Sequence, residues 1–242
     1  MTPARSADRR PARPGLLLSL ASFAVLIVLL GLGTWQVRRL QWKEDLIAHR
    51  AAQIEAAPVA FPDAIEDPQG WDFRRVSARG RFLHEREQAM GAIARAGAIG
   101  AYLLTPLQLD DGRVLLVDRG WRPDKGDAPL DRPAGEVAVE GVLRDRGADR
   151  PGWMTPDNRP ERGAWYWYDM AGLRRATGLD LLPVVLEASA PVNAGGSLPR
   201  AHPTQVELPN NHLQYAITWY GLAAALVAVF IAFGFRRRET SS

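Results

Sequence analysis

The residues best suited to chemistry lie together at 209–223. Pro209-Asn210-Asn211-His212-Leu213-Gln214-Tyr215 stands at the threshold of a long apolar run. Asn210 or Asn211 suits a helix N-cap, because an Asn side-chain oxygen accepts from a helical N–H that otherwise has no partner. His212 then occupies the first helical turn, where the positive end of the helix dipole disfavours imidazolium. Neutral imidazole is the form that ligates iron. Ala216, Trp219 and Ala223 follow on the same face, at spacings of four, seven and eleven. The two small residues leave room for a flat group, with Trp219 to lie against it. The same pattern also describes an interfacial histidine with a polar neighbour and no ligand, and the residues alone leave both readings open.

Elsewhere the chemistry is sparse. His84 has Glu85 and Glu87 beside it. On a strand His84 and Arg86 would share one face and the two glutamates the other, so an exposed polar strand end is expected there and no metal site. His49, on a helix, and His202, in a Pro-rich loop, are expected to be solvated. Ser77, Ser189 and Ser197 do not fall in G-x-S-x-G. Gly91, Gly97 and Gly100 do not make a dinucleotide fingerprint, and no Walker sequence occurs. A membrane-tethered hydrolase would lack a nucleophile–base pair, so no catalytic residue is expected and the chain reads as a non-enzyme. With no cysteine there is no disulfide framework, no Cys-based zinc site, no C-x-x-C pair and no covalent haem attachment. Only four Met remain as soft ligands, one of them the initiator, which disfavours a Cu(I) carrier.

The elements that must position His212 are membrane spans. The mean hydropathy of −0.17 averages two unlike materials. Residues 14–37 carry no charge, and neither do residues 208–235. A bilayer core of about 30 Å needs about 20 apolar residues in a helix, and both runs are long enough. The first run exceeds a signal-peptide core of about 7–15 residues and is followed by no small-x-small site, so an uncleaved anchor is expected. Arg236, Arg237 and Arg238 follow the second span, while residues 193–212 before it hold only Arg200. The positive-inside rule then places both termini in the cytoplasm. Trp35, Trp42, Tyr215, Trp219 and Tyr220 gather at the outer ends, where amphipathic rings favour the interface.

Charge by position supports this topology. The chain carries 30 Lys and Arg against 27 Asp and Glu, a formal charge of +3, with an isoelectric point near 9.6. Arg5, Arg9, Arg10 and Arg13, with the three arginines of 236–238, are offset in the tails only by Asp8 and Glu239. The body between the tails is therefore slightly acidic and has no basic footprint for nucleic acid.

The expected division is a tail at 1–14, a span at 15–35, a juxtamembrane helix at 36–57, a β-rich extracytoplasmic domain at 58–209, a second span at 210–235 and a tail at 236–242. No Gly or Pro interrupts 35–57 before Pro58, so the first span should continue as one helix. Residues 73–83, 88–95, 101–109, 113–118, 137–143, 165–168 and 184–188 read as strands, with a Gly-rich hinge at 97–100 and a hairpin turn at Asp110-Asp111-Gly112. Residues 170–177 read as a short helix ending near Gly178, and 145–163 and 190–209 as loops. The fold class is a membrane α+β protein: two transmembrane helices, one near each terminus, flanking a mainly antiparallel sheet or small barrel.

Four stretches, in order, carry a family resemblance. Asn210-Asn211-His212-Leu213-Gln214-Tyr215-Ala216-Ile217-Thr218-Trp219-Tyr220-Gly221-Leu222 resembles the hallmark of the Surfeit-locus (Surf/Shy) cytochrome c oxidase assembly factors. Leu32-Gly33-Thr34-Trp35-Gln36-Val37-Arg38-Arg39-Leu40-Gln41-Trp42-Lys43 is similar to the end of that family's first span. Arg79-Gly80-Arg81-Phe82 is similar to its early strand, and Thr105-Pro106-Leu107, Asp111-Gly112 and Val117-Asp118-Arg119-Gly120-Trp121-Arg122-Pro123 to its central hairpin. Asp118 stands where the family usually has Asn.

The resemblance implies an inner-membrane assembly factor that binds haem a non-covalently and assists maturation of subunit I of haem-copper oxidase. It makes His212 the ligand of the haem iron, with Trp219, Ala216 and Tyr215 as the surrounding cofactor-binding residues. The partners expected are oxidase subunit I, the haem A synthesis machinery and membrane lipid. The absence of an obvious transit segment before Leu16 points to a bacterial cell membrane with a periplasmic main domain. A cofactor-free scaffold that holds an oxidase intermediate is the alternative, with Gly221 and Ala223, Ala224 and Ala225 as a close-packing helix surface.

Overall fold

The computed structural model of the protein describes residues 15–95, 97–125, 129–146, 150, 152–193, 195–202, 204 and 210–235. The tails expected at 1–14 and 236–242, and the arginines from which the orientation is expected, lie outside these residues. The chain divides into two compact units, residues 1–48 with 207–242, and residues 49–206.

α1 (Leu16–Glu55), whose residues 16–48 belong to the first unit, is an unbroken helix of 40 residues, and α3 (His212–Phe235), also in the first unit, is one of 24. At 1.5 Å per residue α1 is about 60 Å long, roughly twice a bilayer core. The juxtamembrane segment is thus the same helix continuing, and it stops three residues short of Pro58. Both helices are long and apolar enough to cross a membrane. Only 6% and 11% of their apolar windows are buried inside the protein, which separates them from the core helices of a soluble domain.

The second unit is built on seven strands: β1 (Val59–Ala60), β2 (Arg75–Phe82), β3 (Gln88–Arg95), β4 (Ala98–Leu109), β5 (Val114–Pro123), β6 (Glu136–Arg144) and β7 (Leu181–Ala188). Their order is β1-β2-β6-β7-β5-β4-β3, and β2 also pairs with β4. That extra pairing, Gly80↔Leu109 to Phe82↔Leu107, closes five strands into a barrel. Gly80 permits the closure, because a Cβ there would collide with the carbonyl of Gln108. Most pairings are antiparallel; β1–β2 and β5–β7 are parallel. The expectation of a mainly antiparallel sheet or small barrel holds.

The strand period of two sorts the core. Leu115, Val117 and Leu186 join Val76, Leu107 and Leu143 in one cluster. Their neighbours Leu116, Val114 and Val185 face the other way and pack with Leu104, Trp165 and Leu173. Both faces of β5 are therefore covered, which explains its unbroken apolar run Val114-Leu115-Leu116-Val117. The second cluster seats α2 (Met170–Thr177), which begins where Asp169 Oδ1 accepts from Gly172 N at 2.8 Å and ends at Gly178 with φ +71°.

Three local readings need correction. Residues 165–168 are not a strand: only Trp165 bridges, to Met90, and its ring fills the core at 0% exposure. Aromatic richness there reflects burial and not pairing. The expected hinge at 97–100 shrinks to a tight turn at Gly97, φ +79°, and Ala98 already lies in β4. His84 is not on a strand but in a single 3-10 turn, His84–Arg86. The turn undoes the alternation argument. His84 Nδ1 meets Glu87 Oε1 at 2.9 Å, and Nε2 meets the Pro133 carbonyl at 3.0 Å. No group of three or more metal-ligating side chains occurs among the described residues.

Candidate functional site

His212 is the first residue of α3. The carbonyl of Asn211 accepts the N–H of Tyr215 at 3.2 Å, which puts Asn211 at the N-cap. The imidazole Nδ1 lies 2.7 Å from Oε1 of Gln36 on α1. Gln36 is 8% exposed, a buried polar side chain with a defined partner. A carbonyl oxygen can only accept, so the contact places the imidazole proton on Nδ1. Nε2 has no hydrogen-bond partner among the described residues.

Below this pair the two helices fit closely. The ring of Tyr220 lies over Gly33, where an added Cβ would stand 2.8 Å from it. The Tyr220 hydroxyl is 3.1 Å from Thr34 Oγ1, whose own hydrogen bond runs 2.8 Å to the Leu30 carbonyl. Gly33, Thr34 and Gln36 thus occupy the last turn of the apolar run because each serves the opposite helix.

The predicted site residues divide. His212, Ala216 and Trp219 share the inward face of α3, whereas Tyr215 points away and is 55% exposed. Ala216 and Ala223 are 2% and 3% exposed, so the room expected beside them is already filled by protein. His212 and Trp219 are instead themselves partly exposed. These residues would fit a single contact to a flat, apolar, metal-bearing group: one imidazole nitrogen without a hydrogen-bond partner among the described residues, an indole nearby and no thiolate in the chain. Gln36 was missed by sequence reasoning. Its signals were its place in the 32–43 stretch and its being an uncharged polar residue next to the last of a charge-free run.

The second unit holds another polar centre. Asp118 on β5 is 1% exposed, and its register partner on β7 is Glu187, 2% exposed. Asp118 Oδ1 accepts from Gly120 N at 2.9 Å. Its Oδ2 accepts from the Tyr168 hydroxyl at 3.0 Å and meets His202 Nε2 at 3.1 Å. The His202 ring also stacks on Tyr102, centroids 4.2 Å apart. The expectation that His202 is solvated is therefore wrong. A Pro-rich loop looks exposed in sequence, but this one lies on a sheet that offers a buried carboxylate.

Glu187 pairs with Arg146, meets Arg144 Nη1 at 3.5 Å and accepts from Thr204 Oγ1 at 2.5 Å. Burial, then the charge of Asp118, hold the Tyr168 phenol well above its usual pKa near 10. Tyr102 is raised by the same two causes in the same order. Burial lowers the Arg146 guanidinium, and the Tyr168 phenol opposes that shift. Gly120, φ +114°, lets the carbonyl of Arg200 approach where a side chain would stand. Trp121 and Arg200 exchange two backbone bonds of 2.8 Å there, tying the 199–202 segment to β5. Each carboxylate of the centre is met by protein donors, while Arg146 Nε is buried there without a hydrogen-bond partner among the described residues.

Residues 23–224 match the profile of the SURF1 family. A SURF1-like protein of Monosiga brevicollis is 36% identical over 234 residues, covering 90% of this chain and 87% of that one. Surfeit locus protein 1 of Homo sapiens is 35% identical over 215 residues, 81% of this chain and 70% of its own. A SURF1-like protein of Drosophila melanogaster is 38% identical over 217 residues, with the same two coverages.

Proposed function

The chain belongs to the SURF1 family, and from that premise we propose that it is an assembly factor for haem-copper cytochrome c oxidase. It binds haem a non-covalently, with neutral His212 as an axial ligand, and assists haem insertion into subunit I. One observation carries the reading: the Nδ1 contact with Gln36 leaves His212 Nε2 free, at the head of an apolar helix, with Trp219 on the same face. A haem bound there is the cargo, and its iron supplies the acceptor for the Nε2 lone pair. The protein's part is to hold the imidazole neutral and oriented, present apolar surface beside it, and give the cargo up to the oxidase. In this proposal the main domain is periplasmic, both termini are cytoplasmic, and the membrane is a bacterial inner membrane. The three arginines after the second span support that orientation. The outer domain docks the assembly partners, subunit I and the haem A synthesis machinery.

The burial of Ala216 and Ala223 and the seating of Tyr220 on Gly33 favour a second reading, a cofactor-free scaffold whose motif is a helix-packing surface. Absorption spectra separate the two. The protein is co-expressed with haem A synthesis and purified, as wild type and as His212→Ala. Haem ligation predicts a Soret band in the wild type that is lost or shifted in the variant. Equal haem content with identical Soret bands would exclude His212 as ligand, and a wild type without haem that co-purifies with subunit I would favour the scaffold.

A further inference from the structure

We propose that Gln36 is the positioning residue of the haem site: its side-chain carbonyl pins the His212 proton on Nδ1, so that Nε2 is the ligating atom. The inference rests on the reading of His212 as a haem ligand.

A neutral imidazole has one N–H and one lone pair, and the partner of one nitrogen decides the role of the other. Here that partner is an oxygen at 2.7 Å on a side chain that is 8% exposed. The arrangement reproduces a recurring feature of metal-bound histidines, in which the second N–H is given to an acceptor that fixes ring orientation and raises ligand basicity. The acceptor is neutral, as its place at the end of an apolar run requires, since a carboxylate there would carry the cost of a charge near the membrane. It also lies on the other helix. The strength of the Nε2 ligand therefore depends on α1 and α3 remaining paired, and separating them removes the acceptor and weakens the hold on iron. Binding and release are coupled to span pairing through one hydrogen bond.

Two measurements on the full-length protein in detergent test this. First, two-bond proton–nitrogen NMR on histidine-labelled, haem-free protein reads the His212 tautomer, assigned by its loss in His212→Gln. Protonation at Nδ1 in the wild type, altered in Gln36→Leu, is expected. Protonation at Nε2 in the wild type overturns the proposal. Second, haem a titration compares wild type, Gln36→Leu and Gln36→Glu. Gln36→Leu should bind about 10–100-fold more weakly, the usual cost of removing such an outer partner. Gln36→Glu, which keeps an acceptor oxygen, should recover most of that loss. Equal affinity and an unchanged Soret band in Gln36→Leu refute the role of Gln36 while leaving His212 as ligand. A wild type that takes up no haem a refutes the haem reading itself, and the positioning role with it.

Discussion

Tyr168→Phe removes a single hydroxyl from the buried centre of the β-rich unit and leaves its ring in place. That hydroxyl donates to Oδ2 of Asp118 at 3.0 Å, and Asp118 is 1% exposed. The guanidinium of Arg146, 4.9 Å over the Tyr168 ring, keeps its aromatic partner in the variant. The loss is therefore close to one hydrogen bond to a charged acceptor, about 1.5–3 kcal/mol. Gly120 N and His202 remain on the carboxylate, so the lower half of that range is expected, about 2 kcal/mol. For a domain of this size each kcal/mol shifts the melting temperature by about 2–4 °C, which gives a drop of about 4–8 °C. The assay is thermal unfolding of the full-length protein in detergent at pH 7.5, followed by near-ultraviolet circular dichroism. Tyr168→Phe and Asp118→Asn should combine less than additively, because both remove the same charged contact. A shift under about 1 °C in Tyr168→Phe, or strict additivity with Asp118→Asn, would refute the claim that this hydroxyl stabilises the carboxylate.

Three further outcomes are expected. Tyr168 has a folded pKa raised above the unfolded value near 10, so its contribution is intact below pH 10 and falls away as pH rises beyond it. The wild-type melting temperature should drop above pH 10 more steeply than that of Tyr168→Phe, measured from pH 8 to 11. Trp165→Ala empties a fully buried site and leaves Gln88 Oε1 without the indole N–H it accepts at 2.9 Å. A loss of about 3–5 kcal/mol is expected in urea unfolding. Asp169→Ala removes the N-cap of α2 and should cost about 1 kcal/mol in the same assay, while Asp169→Asn should cost less.

Those elements were legible in the sequence that carry their cause locally. Two charge-free runs announced the spans. Residues 170–177, followed by Gly178, announced α2 with the bounds it has. Asp111-Gly112 announced the turn before β5, where Asp111 Oδ1 accepts from Arg113 N at 2.9 Å. What stayed hidden depends on partners far along the chain. Barrel closure rests on Gly80 passing under Gln108, a contact no window around either residue reveals. His202 looks like a loop residue until β5 supplies Asp118, 84 positions away. At the site the type of residue was legible but its setting was not. His212 and the small, aromatic face of α3 follow from helical spacing, whereas the acceptor that fixes the histidine is 176 positions distant on α1.

Closing the barrel has a consequence for solubility and partner choice. Among the described residues, five of the seven strands have neighbours on both sides, and β1 and β3 are left as edges. β1 is two residues long, too short to template an incoming strand. β3 is blunted where Met90 bridges Trp165 and Gly91 N donates to the Trp165 carbonyl at 2.9 Å, and a bulge between Gly91 and Ile93 breaks its pleat. Free edges are where sheets recruit other chains, in aggregation as well as in strand addition. With both edges shortened or covered, a partner must recognise side chains and loops, and the newly made domain is protected from adding strands to its neighbours.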